Sequence, residues 1–230
     1  MSQTQNIKEF LEQRLDFYLD LLRQMVEINS FTTNTAGVNA LGELTANIFS
    51  DLGFEAEFVQ AANPDYGKHL FLLREGRSSP DGVTPPRVGM ISHLDTVFSS
   101  EEENANDFKW RPEGDRIYGP GSVDIKGGTV MCYMVLDAIR TLEPDFFENV
   151  SWLVCIDACE ETLSLDFSQR CMERLPQETL ACLVFEGGSG DNSKLSLVTS
   201  RKGRASFRVR VTGRSAHAGN GHKNGANAIV

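Results

Sequence analysis

Four short islands carry the residues able to do chemistry. His93 and Asp95 lie in Ser-His-Leu-Asp-Thr-Val over 92–97, and Asp124 lies in Gly-Pro-Gly-Ser-Val-Asp-Ile-Lys-Gly-Gly over 119–128. Glu160 and Glu161 lie in Cys-Glu-Glu-Thr over 159–162, and Glu186 in Phe-Glu-Gly-Gly over 185–188. One histidine and several carboxylates drawn from separate loops suit a borderline or hard divalent cation, or a pair of them. His93 and Asp95 are two apart, so in an extended chain they point to the same side. That spacing fits a metal ligand with an orienting partner, and equally a hydrogen-bonded structural pair. Side chains of the adjacent Glu160 and Glu161 diverge. In a site one would hold metal and the other handle protons; the rival reading is surface charge.

Two other chemistries fail on order. Gly119, Gly121, Gly127 and Gly128 permit tight turns and close backbone approach. A phosphate loop, however, needs a lysine after its last glycine, and Lys126 precedes the paired glycines. Gly187-Gly188-Ser189-Gly190 is not a dinucleotide fingerprint, because Asn192-Ser193-Lys194 and an expected strand come after it instead of a helix. A net charge of −10, with no basic stripe interleaved with aromatics, argues against a nucleic-acid partner. Glu101-Glu102-Glu103 reads as a solvated loop, His69 as an ordinary strand-opening residue, and His222 as a turn residue.

The elements that must position these islands emerge from periodicity. Helical spacing runs over 7–28, over 38–52 with Gly53 as a cap, and over 127–142. Apolar runs at 54–59, 69–73, 87–91, 152–156 and 180–185 read as strands, each island coming after one or lying in a glycine-rich turn behind it. Strands alternating with helices predict an α/β fold, with a mixed, mostly parallel sheet flanked by helices. Past residue 200 the pattern changes. Ala205, Phe207, Val209 and Val211 alternate with Ser206, Arg208, Arg210 and Thr212, a period of two with one wet face. This places a boundary near Ser200, a first domain over 1–199, and the start of a small α+β unit over 200–230 whose first helix begins at Asn224.

Five cysteines, an odd number without a Cys-x-x-Cys, read as reduced and mostly buried thiols. The first residues have neither a basic start nor an apolar core, and no run of eighteen apolar residues occurs. The expectation is a cytoplasmic protein with no membrane partner.

Together, the order, spacing and flanks of the islands resemble the metallopeptidase family of aminoacylases, acetylornithine deacetylase, succinyl-diaminopimelate desuccinylase and glutamate carboxypeptidases. The resemblance runs from the first helix to Val230. It implies a zinc-exopeptidase-like catalytic domain holding two divalent ions, zinc by expectation, with cobalt or manganese as alternatives. His93 and Glu186 would bind one ion, Glu161 the other, and Asp124 would bridge them. Glu160 would be the general base and Asp95 would orient His93. Residues 213–219, with His217, are similar to the family's lid segment, whose histidine stabilises the tetrahedral intermediate and in dimers reaches the partner's site. The implied reaction is hydrolysis of a peptide bond or an N-acyl amino acid, and the implied full-length assembly is a homodimer through the lid.

The sequence departs from the family pattern in three places. Cys159 replaces the acid common before the glutamate pair, and Ile125 stands where a second aspartate is frequent. No residue corresponds to the family's last metal ligand, a C-terminal histidine. The expectation is therefore a piece of a longer hydrolase. The alternative is a catalytically incomplete relative that keeps a partial metal site and acts by binding.

Overall fold

The computed structural model describes residues 3–78, 81–188, 197–200, 202–203, 205 and 207–229. The N-terminal helical pattern divides into α1 (Gln3–Gln13) and α2 (Leu15–Val26). The break falls at Arg14, whose Nε reaches the buried Asp137 carboxylate at 2.9 Å while its guanidinium covers the Phe10 and Phe17 rings. Periodicity alone cannot reveal that tertiary tether. α3 (Thr35–Ser50) starts where the Asn34 side chain accepts from the Gly37 N–H, and it ends ahead of Gly53 at φ 82°.

Five strands form from apolar runs: β1 (Glu55–Gln60), β2 (Lys68–Arg74), β3 (Arg87–His93), β6 (Ser151–Asp157) and β7 (Ala181–Val184). Their order in the sheet is β1-β2-β6-β3-β7. β6 is central and buried at every position, pairing parallel with β3 and antiparallel with β2. β3 and β7 are parallel, while β1 and β2 are antiparallel. The sheet is thus mixed, with parallel pairs on the side that carries the candidate site.

Helices cover both faces, as the apolar runs require. α2, α3 and α5 (Lys126–Leu142) pack Tyr18, Met25, Leu41, Phe49, Val130 and Leu136 with Leu70, Leu72, Met90 and Val154. On the other face α7 (Phe167–Arg174) lays Phe167 and Cys171 against Phe71, Leu153 and Cys155. α4 (Ser100–Ala105) is the acidic run expected to be a loop. Ser99 closes a capping box with Glu102, so the carboxylates fall in a first helical turn where they complement the dipole. A short hairpin, β4 (Arg111–Glu113) with β5 (Arg116–Tyr118), and α6 (Pro144–Glu148) complete the order.

The chain divides into two compact units, Met1–Gly187 and Gly188–Val230. Within the second, the described residues between 205 and 213 carry no strand, and the described residues 225–229 form no helix. A bridge forms instead, with Arg214 and Ala226 exchanging two backbone hydrogen bonds of 2.9 Å, around a 3-10 turn at His222–Asn224. Alternation makes a strand only when a neighbouring strand takes its hydrogen bonds. Of the strand expected after Lys194, residues 195 and 196 lie outside the described residues, and 197–200 carry no strand.

No described helix is long and apolar enough to cross a membrane. Among the described residues all five cysteines are free thiols, and only Cys182 is exposed.

Candidate metal centre

β3 and β6 run in parallel register to their last residues, His93 opposite Asp157, and the two segments leaving them build the site. Beyond the strand, the Leu94 N–H donates to the Asp157 carbonyl, and residues 94–96 turn alongside 30–32. This lays the Thr32 hydroxyl against Asp95, to which it donates at 2.7 Å. Asp95 is fully buried, and its two carboxylate oxygens also accept from the backbone N–H groups of Glu160 and Glu161, at 3.0 and 3.2 Å. Asp95 therefore fixes the glutamate pair as firmly as it fixes the histidine. Its backbone carbonyl, 2.9 Å from His93 Nδ1, sets the ring with Nδ1 as donor and turns Nε2 outward.

His93 Nε2 meets carboxylates from two further loops. Asp124 Oδ1 lies at 3.0 Å and Glu186 Oε1 at 3.8 Å, and the three ligand atoms are all within 4.8 Å of one another. Bond lengths of about 2.0–2.2 Å to nitrogen and oxygen place ligand atoms about 3–3.6 Å apart around one ion, so this set fits a divalent cation. Electrostatics agrees. Burial lowers the basicity of His93, but the hydrogen bond and charge of Asp95 outweigh it and lift the pKa to about 9. Glu161 lies outside the three-residue cluster. Burial, then the charge of Asp124, push its pKa up, with His93 opposing. Like charges crowded in this way are relieved by a bound cation.

Glycines bring the loops together. A side chain at Gly128 would collide with the Phe185 carbonyl, so only glycine lets the start of α5 approach the residue before Glu186. Gly121 turns at φ 73° and packs against the stem of Lys126. Lys126 is buried, and its Nζ donates to the Ile28 carbonyl at 2.9 Å, tying the Asp124 loop to the 28–32 segment. Its burial brings the pKa down to about 8, against the charge of Glu103. The Asp124–Ile125 peptide is cis.

Of the predicted residues, the structure brings His93, Asp95, Asp124, Glu160, Glu161 and Glu186 into one neighbourhood. His217 belongs to the second unit, where its Nδ1 accepts from the Gly219 and Asn220 backbone, each at 3.2 Å. Two supporting residues, Thr32 and Lys126, do not stand out as site residues in the sequence. Thr32 occupies a polar break between helices with no motif around it, and Lys126 suggests only a phosphate-loop lysine. His69, ordinary by its sequence context, is completely buried between two carboxylates.

Residues 89–219, more than half of the chain, match the family described as Peptidase family M20/M25/M40. The chain belongs to this family. Carboxypeptidase G2 of Pseudomonas sp. (strain RS-16) is 28% identical over 209 residues, covering 91% of this chain and 47% of that protein. An acetylornithine deacetylase of Vibrio campbellii is 27% identical over 177 residues, covering 76% of this chain and 42% of the other. Among solved structures, human carnosine dipeptidase 1 superposes with a TM-score of 0.62 at 16% identity, over 78% of this chain and 40% of that one. Aminopeptidase PepT of Bacillus cereus gives 0.58 at 16% identity, over 92% and 53%. The structural likenesses establish the fold. The chain spans about half the length of the curated relatives it matches.

Proposed function

We propose that the whole protein is a metal-dependent hydrolase of amide bonds in small peptides or N-acyl amino acids, of the carboxypeptidase and deacylase type. The observation that carries this reading is the outward Nε2 of His93 facing Asp124 and Glu186, on strands whose neighbouring loop presents Glu160 and Glu161. In this reading His93 and Glu186 would hold one ion and Glu161 a second, with Asp124 contributing its carboxylate to both. Zinc suits the nitrogen and carboxylate donors. The ions, when bound, would supply the Lewis acidity that polarises the scissile carbonyl and the attacking water.

The chain's own residues do the rest. Asp95 holds His93 in one tautomer and pins the Glu160–Glu161 backbone, which costs nothing further when substrate arrives. Glu160 accepts the proton of the attacking water and returns it to the departing amine. Lys126 and Thr32 keep the Asp124 loop and Asp95 in register. His217 would stabilise the tetrahedral intermediate from the lid, and the lid would join two copies in a dimer.

Elemental analysis after purification without chelator tests the metal reading. At least two equivalents of zinc per chain, falling in Asp124→Asn, are expected together with hydrolysis of a dipeptide or N-acetyl amino acid panel. Fewer than one equivalent in the unsubstituted chain would sink it.

A further inference from the structure

A second group of metal-ligating atoms lies beneath the glutamate pair. His69, one position past the Leu70–Ile156 pair, faces Asp157 across the β2–β6 ladder, and Cys159 lies two residues further along the chain. His69 Nδ1 is 3.1 Å from Asp157 Oδ1, and Cys159 Sγ is 3.7 Å from the same oxygen. All three ligand atoms lie within 4.8 Å of one another, and all three residues are buried. Bond lengths of about 2.0–2.3 Å to nitrogen, oxygen and sulfur put such atoms about 3.3–3.7 Å apart in a tetrahedron.

The surroundings are those of a ligating imidazole. His69 Nε2 is 3.4 Å from Asp166 Oδ1, and the Asp166 carboxylate is held in turn by the Ala62 N–H at 3.1 Å and by Arg170 Nε at 3.4 Å. A carboxylate anchored behind a histidine fixes its tautomer and leaves the other nitrogen for a cation. That other nitrogen has conflicting neighbours, the Asp157 oxygen at 3.1 Å and the Ala158 N–H at 3.2 Å. A proton on Nδ1 opposes the N–H, and a lone pair opposes the carboxylate. A cation between Nδ1, Oδ1 and Sγ would satisfy the carboxylate as a proton does, at the expense of the Ala158 N–H, and one aspartate with one thiolate balances its two charges.

We propose that His69, Asp157 and Cys159 form a separate binding site for a thiophilic divalent cation such as Zn2+, with its fourth position left open. The side chains of Asp157 and Cys159 flank the linker that delivers Glu160, so an ion here would also stiffen that linker.

Cobalt titration of the full 230-residue chain tests the proposal without relying on hydrolysis. Thiolate ligation gives a near-ultraviolet charge-transfer absorption that a site of histidine and carboxylates lacks. The band is expected in the unsubstituted chain and in Asp124→Asn, and is expected to disappear in Cys159→Ser and His69→Gln. Its absence from the unsubstituted chain, or its survival in Cys159→Ser, would overturn the site. A melting series guards against misfolded variants. Zinc at about a hundredfold excess over its Kd should raise the Tm of Asp124→Asn by roughly 5 °C and that of Asp124→Asn with Cys159→Ser by clearly less. Equal shifts would count against the site. A lower cobalt stoichiometry in His93→Ala, with the charge-transfer band intact, would separate the two centres.

Discussion

Two histidines end up between carboxylates at the same end of the sheet, and their surroundings differ in one decisive respect. At His93 the imidazole is buried, but its partners open outward: the Asp124 side chain is 63% exposed and that of Glu186 35%. At His69 the ring is fully buried and its Asp157 partner is only 4% exposed. Similar residue types thus make one cluster open to solvent and one sealed from it. The difference comes from where each histidine stands in its strand. His93 ends β3, with glycine-rich loops converging on it, whereas His69 lies at the start of β2, roofed by Phe167 of α7.

The sharpest way to break this contrast is to remove groups at the open centre. Asp124→Ala should lower hydrolysis by at least about a thousandfold and reduce bound zinc, because its carboxylate faces both proposed ions. Glu160→Gln should cost about 10²–10⁴ in kcat while leaving the metal content unchanged, as expected of a proton carrier and not a ligand. Steady-state kinetics paired with elemental analysis reads both. If Glu160→Gln loses zinc as well, the roles of the two glutamates are reversed.

A milder perturbation bears on the support beneath that centre. Thr32→Val keeps the shape but leaves one oxygen of the buried Asp95 carboxylate short of a donor. A hydrogen bond to a charged group contributes about 1.5–3 kcal/mol, so a urea midpoint should fall correspondingly. Because Asp95 also pins Glu160 and Glu161, kcat should drop more than KM rises. An unchanged urea midpoint would mean that water replaces the hydroxyl and that Thr32 is dispensable.

Legibility in the sequence divides along the same line. Five strands and the three long helical stretches are visible there because buried apolar runs and 3.6-residue spacing report local physics. The islands of the candidate site are visible because glycines and acids at strand ends stand out against such runs. The support is not. Thr32 meets Asp95 across 63 residues of chain, and His69 meets Asp166 across 97. No local pattern encodes those contacts. α7 escapes notice because its single buried stripe, Phe167 and Cys171, is two residues deep in a charged segment. The described residues between 205 and 212 show the converse: the alternation is present as a pattern, yet a strand needs a partner.

The smallest effect predicted concerns protons at the sealed centre, with a chelator present so that no ion competes. Burial lowers the basicity of His69, but the hydrogen bonds and charges of Asp157 and then Asp166 outweigh it, so its folded pKa stands above the usual 6.5. Cys159, whose thiol burial raises to about 12, and Arg170, paired with Asp166, are the other ionisable groups near the ring. A raised histidine contributes stability fully below its unfolded pKa and loses it as pH rises through the folded value. The stability gap between the unsubstituted chain and His69→Gln, measured by urea midpoints, should therefore be widest near pH ~6 and narrow on the alkaline side. A gap that widened with pH would mean that the neutral ring is the preferred form at this centre, and that the Ala158 N–H, not the Asp157 carboxylate, decides the state of Nδ1.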